Sequence, residues 1–431
     1  MRETVKAAEA PSEPSGNSVN VQGGKRDSCK PSETAVAWIK RLVAFDTTSH
    51  KSNLDLIEDV KATLALLGFV FRITYDTTGR KANLLATLPS GDGRLTGGLC
   101  LSGHVDAVPV DGQPWSSSPF LPVIHDSRIY GRGTCDMKGF VGTAIAVAVA
   151  HHDKPRQAPL HLALSYDEEV GCLGAPAMVQ DMIASGIVPD GCVVGEPTMM
   201  KVVSAHKGAN VGRCRVEGLA RHSSLAPQGI NAIEFASRII VHMQSMADEF
   251  ARSGPFSDGF DVPFTTLQVG QIEGGIAVNT VPASCTFTFE LRNLPSTSAD
   301  AVFDRIREYA RTEVLPPMRH RADGAADIVF ERLAAAPALE PQEDSAFTRL
   351  VRAVTGDTAI RKVAYGTEAG IFSQAGIPTV VCGPGDIAQA HTADEYVELS
   401  QIARCEAVLS ELAKRMCVRA SEPLSSKETA S

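Results

Sequence analysis

The 431-residue chain has no run approaching the roughly 18 consecutive apolar residues that a membrane span needs. Residues 1–30 are rich in Ser, Pro, Gly, Lys and Glu and hold no apolar stretch, so they lack the hydrophobic segment of an export signal. A cytoplasmic protein is expected. An excess of basic charge is also missing. Lys and Arg total 41 against 50 Asp and Glu, a net charge of −9, which argues against a nucleic-acid partner or an anionic membrane. A small anionic substrate stays open, because a few local arginines override the global field. The ten cysteines form no CxxC pair and no regular spacing. Cys100, Cys192 and Cys382 sit inside apolar strand-like runs, where thiols in a reducing compartment are a simpler reading than a disulfide framework. No internal repeat is present.

The length is too great for one ordinary core, so two domains are expected. Hydrophobic residues at 44% and charged residues at 21% fit a soluble globular enzyme. The head (1–30) and the tail (420–431) are too polar to offset the entropy of ordering, and disorder is expected in both. Between residues 32 and 204, helices at 32–46, 52–67, 138–151 and 174–185 accompany strands at 69–74, 82–88, 98–102, 160–165 and 191–194. That pattern predicts an α/β domain with a mainly parallel sheet. Residues 205–317 differ in style, with half-exposed strands at 211–217, 265–273 and 282–291 and helices at 229–250 and 298–312. They read as an inserted α+β sandwich. Helix 343–355, strand 378–382 and helix 399–416 return to the first style, so 31–204 and 318–419 form one domain.

Residues able to bind metal fall at equivalent places in this pattern. His104 and Asp106 follow strand 98–102, Glu168 and Glu169 follow strand 160–165, and Glu196 follows strand 191–194. His391 lies in the loop after strand 378–382, and Asp136 ends a Gly-rich turn just before an apolar helix. Open α/β sheets bind ligands at the carboxyl ends of their strands. Taken singly, an HxD is incidental, a Glu pair is a solvated surface and Asp136 is a helix cap; their joint placement carries the inference. Two imidazoles and three carboxylates give five ligands, one of them shared, for two divalent ions. The mixed nitrogen and oxygen set points to Zn²⁺ or Co²⁺, with Mn²⁺ less suited. In an extended segment Asp106 shares a face with His104 and can accept from its imidazole N–H. One of Glu168 and Glu169 can bind metal while the other moves protons; these residues alone leave open which.

With these residues the sequence resembles the dinuclear-zinc M20 family. The segments that carry the likeness are Ser102–Asp106, Gly131–Gly133 through Asp136–Gly139, Asp167–Glu169, Gly195–Thr198 and Gly385 through His391. Together they span about residues 35–415 in matching order. Within the family the likeness is greatest to acetylornithine deacetylases, through Ala205–Gly208, Arg221–Ser224 with Pro227, Gly274–Gly275 with Asn279, Thr367–Ala369, and Gly383–Gly385 with Gln389–His391. Ser165-Tyr166-Asp167 departs from the small or Thr residues expected before the Glu pair.

The resemblance implies that His104, Asp136 and Glu196 hold one ion and that Asp136, Glu169 and His391 hold the other. It makes Glu168 the general base, Asp106 the orienter of His104, and the Asp136–Met137 peptide cis. His222 would stabilise the oxyanion across a homodimer formed by the inserted lid domain, with hinges near residues 205 and 317. Arg292 and Asn279 are candidates for holding a substrate carboxylate. Glu368 either reads a side-chain cation or only opens a helix. The implied reaction is deacylation of a small N-acyl amino acid, foremost N2-acetyl-L-ornithine to L-ornithine and acetate, a step of arginine biosynthesis. Other N-acyl-amino-acid amidohydrolases, a succinyl-diaminopimelate desuccinylase and a carboxypeptidase or dipeptidase are the alternatives.

Overall fold

A computed structural model describes residues 30–321 and 326–418. The head up to residue 29 and the tail from residue 419, both expected to be disordered, lie outside the described residues.

The first body is built on a six-stranded sheet. Its order is Val70–Tyr75, Ala82–Leu88, Leu160–Ser165, Leu99–His104, Gly191–Pro197 and Thr379–Gly383. The last four strands run parallel, and Ala82–Leu88 pairs antiparallel with both its neighbours. Strand Leu99–His104 is buried along its whole length, as a sheet covered on both faces requires. Its residues alternate between two cores. Leu99 and Leu101 pack beneath helices Glu33–Val43, Lys138–Val149 and Leu399–Cys417, whereas Cys100 packs beneath Ala175–Ala184 and Ala369–Gln374. Helix Lys138–Val149 lies deepest, and its glycines are the reason it can. A Cβ on Gly142 would come 2.7 Å from the Ile39 backbone nitrogen, so only glycine lets these two helices approach so closely.

The second body is a four-stranded antiparallel sheet, in the order Thr266–Gly274, Ser284–Arg292, Ala209–Glu217 and Asp327–Ala336. Helices Ala232–Ser253 and Ala299–Tyr309 cover one face, closing a core around Phe235, Phe287, Phe289 and Phe303. Strand Asp327–Ala336 corrects the expected boundary at residue 317. It pairs with Ala209–Glu217, so the insertion continues to about residue 336 before the chain returns. This edge strand is largely half-exposed and ends in alanines, so it carries no strong apolar signal. The two crossings between the bodies lie side by side. His206 and Leu339 exchange backbone hydrogen bonds of 3.3 and 3.1 Å, which puts the second crossing near residue 337 rather than 317.

Candidate metal centre and active-site cleft

Strand ends bring the predicted ligands together. His104 is the last residue of its strand, Glu196 the last but one of Gly191–Pro197, and Glu168 and Glu169 open the turn after Leu160–Ser165. Asp136 lies between two rings. Its Oδ1 is 3.0 Å from His104 Nε2, and its Oδ2 is 3.2 Å from His391 Nε2. Glu169 comes within 3.1 Å of His391, and Glu196 within 3.9 Å of His104. Ligand atoms of His104, Asp136 and Glu169 lie within 4.8 Å of one another, as do those of His104, Glu168 and Glu196. The Asp136–Met137 peptide is cis.

The charges do not balance among these side chains. Four carboxylates meet two imidazoles. Burial pushes the Glu168 and Glu196 carboxyls well up, and neighbouring acids add to this against the pull of His104. Burial alone would lower His104, yet hydrogen bonds with Asp106 and Asp136 hold it well above its ordinary value. Hydrogen bonds with Asp136 and Glu169 lift His391 to about 10. Buried Glu196 Oε1 has no hydrogen-bond partner. Carboxylates that raise both imidazoles, with Glu196 Oε1 left unpaired, are an excess of negative charge that divalent ions would neutralise. The donor set fits two such ions.

Supporting groups hold the ligands from behind. The Asp106 carboxylate is 3.5 Å from His104 Nδ1, and the Asp106 main-chain oxygen is nearer, at 3.1 Å. That carboxylate also accepts from Ser49 Oγ at 2.7 Å and from the backbone N–H groups of Glu168 (3.1 Å) and Glu169 (3.3 Å). Asp106 therefore ties His104 to the turn carrying both glutamates. Glu395, absent from the sequence reading, does the same for Asp136. Fully buried, it pairs with Arg132 at 2.6 Å and accepts from the backbone N–H groups of Gly133, Cys135 and Asp136. Arg132 also contacts Gln113, which donates to the His391 carbonyl at 2.8 Å. The one sequence signal for this network is that Arg132 and Glu395 lie within or beside metal-binding segments.

A cleft of about 510 Å³ opens over the centre, between the two bodies. Arg292 lines it from the second sheet, its guanidinium 2.6 Å from Glu290. The other predicted substrate residues lie elsewhere. Glu368 precedes helix Ala369–Gln374 and is sealed from the cleft; neither of its oxygens has a partner, and burial pushes its carboxyl up to about 7. Glu368 lies behind Glu168 and Cys172, which line the cleft, and does not itself line it. His222 and Asn279 are exposed neighbours at the far end of the insertion. The Ser223 N–H donates to the Asn279 carbonyl at 2.9 Å, and His222 Nδ1 lies 2.8 Å from Ser224 Oγ. Neither lines the cleft of its own chain.

Residues 100–415 match Peptidase family M20/M25/M40. The chain is 34% identical over 384 residues to an acetylornithine deacetylase of Myxococcus xanthus, covering 88% of this chain and 97% of that one. It is 35% identical over 378 residues to an acetylornithine deacetylase of Pasteurella multocida, covering 87% and 94%. An M20 family metallo-carboxypeptidase from Sulfolobus solfataricus superposes with a TM-score of 0.69 at 16% identity, over 89% of this chain and 99% of that one. With both sheets and the ligand-bearing strand ends inside these matches, the chain belongs to peptidase family M20/M25/M40 and is a metal-dependent hydrolase.

Proposed function

We propose that the protein deacylates an N-acyl amino acid, with N2-acetyl-L-ornithine as substrate and L-ornithine and acetate as products. The observation that carries this reading is Asp136 set between His104 and His391 at the floor of a cleft that Glu168 also lines. The relatives' activity supplies the substrate class. His104, Asp136 and Glu196 would hold one divalent ion, and Asp136, Glu169 and His391 the other, as Zn²⁺ or Co²⁺. Such ions, when bound, polarise a carbonyl and bring the pKa of water from 15.7 to about 7.

The protein's own groups would do the rest. Glu168 takes the proton of the attacking water and later returns it to the departing amine. Asp106 keeps His104 and the Glu168–Glu169 turn in register. Arg292 would turn its fork to the substrate carboxylate, an anion it holds better than a point charge would. His222 would serve the site of a second copy, making the working enzyme a homodimer. Among the described residues no helix is long and apolar enough to cross a membrane, and nine cysteines are buried and unbridged, which suits a reducing cytoplasm. Ornithine release would place the reaction in arginine biosynthesis.

The test is kcat/KM of the Co²⁺-loaded protein on acetylornithine, acetylcitrulline, acetylmethionine and succinyl-diaminopimelate. Acetylornithine should lead by at least tenfold, about 1.4 kcal/mol of discrimination. Equal values for acetylornithine and acetylmethionine would make it a general acylase, and a lead for succinyl-diaminopimelate a desuccinylase.

A further inference from the structure

The cleft is rich in acceptors and poor in free donors. Four of its lining side chains have a hydrogen to give: Cys172, Arg292, Tyr365 and His391. Cys172 Sγ donates to Glu168 Oε1 at 3.4 Å, Arg292 donates through Nε and Nη2 to Glu290 Oε1 and keeps Nη1 for a substrate carboxylate, and His391 Nε2 faces Asp136 and Glu169. The Tyr365 hydroxyl makes no hydrogen bond among the described residues.

Its loop is held on both sides. Strand Lys362–Val363 pairs with Ala205–His206, and the Lys207 N–H donates to the Val363 carbonyl at 3.2 Å. After Tyr365, a Cβ on Gly366 would come 2.9 Å from Ala209 Cβ, and Thr367 Oγ1 lies 3.0 Å from His206 Nε2. The ring is thus carried on a braced loop where the chain crosses between the two bodies. Burial pushes its phenol up, and it keeps its proton to donate.

We propose that Tyr365 is a catalytic residue, donating its O–H into the cleft to the carbonyl oxygen of the scissile amide. As the water oxygen bonds to the carbonyl carbon, the C=O pair moves onto that oxygen, and a preorganised donor stabilises the charge without giving up its proton. Tyr365 belongs to the same chain as the ligands, so this donor is in place in every copy.

The inference rests on the deacylase reading, and the experiment separates the two. Tyr365→Phe removes one oxygen and keeps the ring. With acetylornithine, kcat should fall roughly 10²-fold, the low end for one lost oxyanion donor, while KM stays within about twofold. Metal content and thermal midpoint should match the wild type. Affinity for the tetrahedral methylphosphonamidate of ornithine, measured by calorimetry, should weaken by the same factor as kcat. Acetylornithine affinity, measured in a Glu168→Gln background, should not change. A kcat within twofold of wild type overturns the proposal, as does a rise in KM alone or an unchanged analogue affinity. If the wild-type protein turns over no N-acyl amino acid, the deacylase reading fails and the Tyr365 role falls with it; if the wild type is active and Tyr365→Phe matches it, the Tyr365 role alone is overturned.

Discussion

Glu168 and Glu169 are adjacent in the chain but meet different partners. Glu169 reaches His391 at 3.1 Å, whereas Glu168 has only the Cys172 thiol on its Oε1. Glu168→Gln should keep both metals, by elemental analysis, and lose about 10²–10⁴ in kcat with the proton carrier gone. Glu169→Gln should lower metal loading first and regain activity as metal is added. The opposite pattern would exchange the two roles. That His104, Asp136, Glu169, Glu196 and His391 gather at one place was legible in the sequence because each follows a recognisable strand or opens a helix, and strand ends converge in a parallel sheet. Glu395 was not. Its partners lie about 260 residues away, and no local pattern marks a carboxylate that will be buried against Arg132 and three backbone N–H groups. Glu368 stayed open between two roles for the same reason: a Glu beside a family motif reads alike whether it lines a cleft or is buried behind one.

At the scale of elements, close approach between strand and helix sets the floor of the site. A Cβ on Gly195, next to Glu196, would lie 1.9 Å from a ring carbon of Phe140 in helix Lys138–Val149. The strand that presents Glu196 can sit where it does only without a side chain at 195. Gly195→Ala should therefore destabilise by at least the roughly 1–3 kcal/mol of an overpacked core, read from urea midpoints. Phe140→Leu added to it should recover part of that loss, because the clash is with the ring. If Gly195→Ala is as stable as the wild type, the packing is looser than described. Elements like these were legible where burial is complete: the apolar runs at 98–102, 160–165 and 191–194 all became strands of the first sheet. Edge strands with some alternation, Val70–Tyr75 and Thr266–Gly274, were legible too, but two other elements were not. Asp327–Ala336 mixes charge with half-burial, and the short hairpin Val123–His125 with Arg128–Tyr130 is too brief to show a period.

Across the whole molecule, the insertion's sheet ends in two edge strands, Thr266–Gly274 and Asp327–Ala336. On Thr266–Gly274 Ile272 is 57% exposed, and just beyond the strand Ile276 and Val278 are 89% and 104% exposed. A sheet edge flanked by apolar side chains is a liability that a second copy removes if the two edges meet across a two-fold axis. The same end of the insertion carries His222 and Asn279, outside the cleft of their own chain. Pairing two copies through this end offers His222 a route to the partner's cleft, where it would join Tyr365 as a second donor to the oxyanion. His222→Ala should then lower kcat by roughly 10²–10³, whereas a surface loop histidine would change little. Mixing separates donation within a chain from donation between chains. His222→Ala chains and Glu168→Gln chains are each expected to be inactive alone. In a heterodimer, one of the two clefts keeps its own Glu168 and faces an intact His222 from the other chain. Activity should return as subunits exchange, with mass spectrometry following heterodimer formation in parallel. Heterodimers that form and stay inactive would place His222 outside the reaction of its partner.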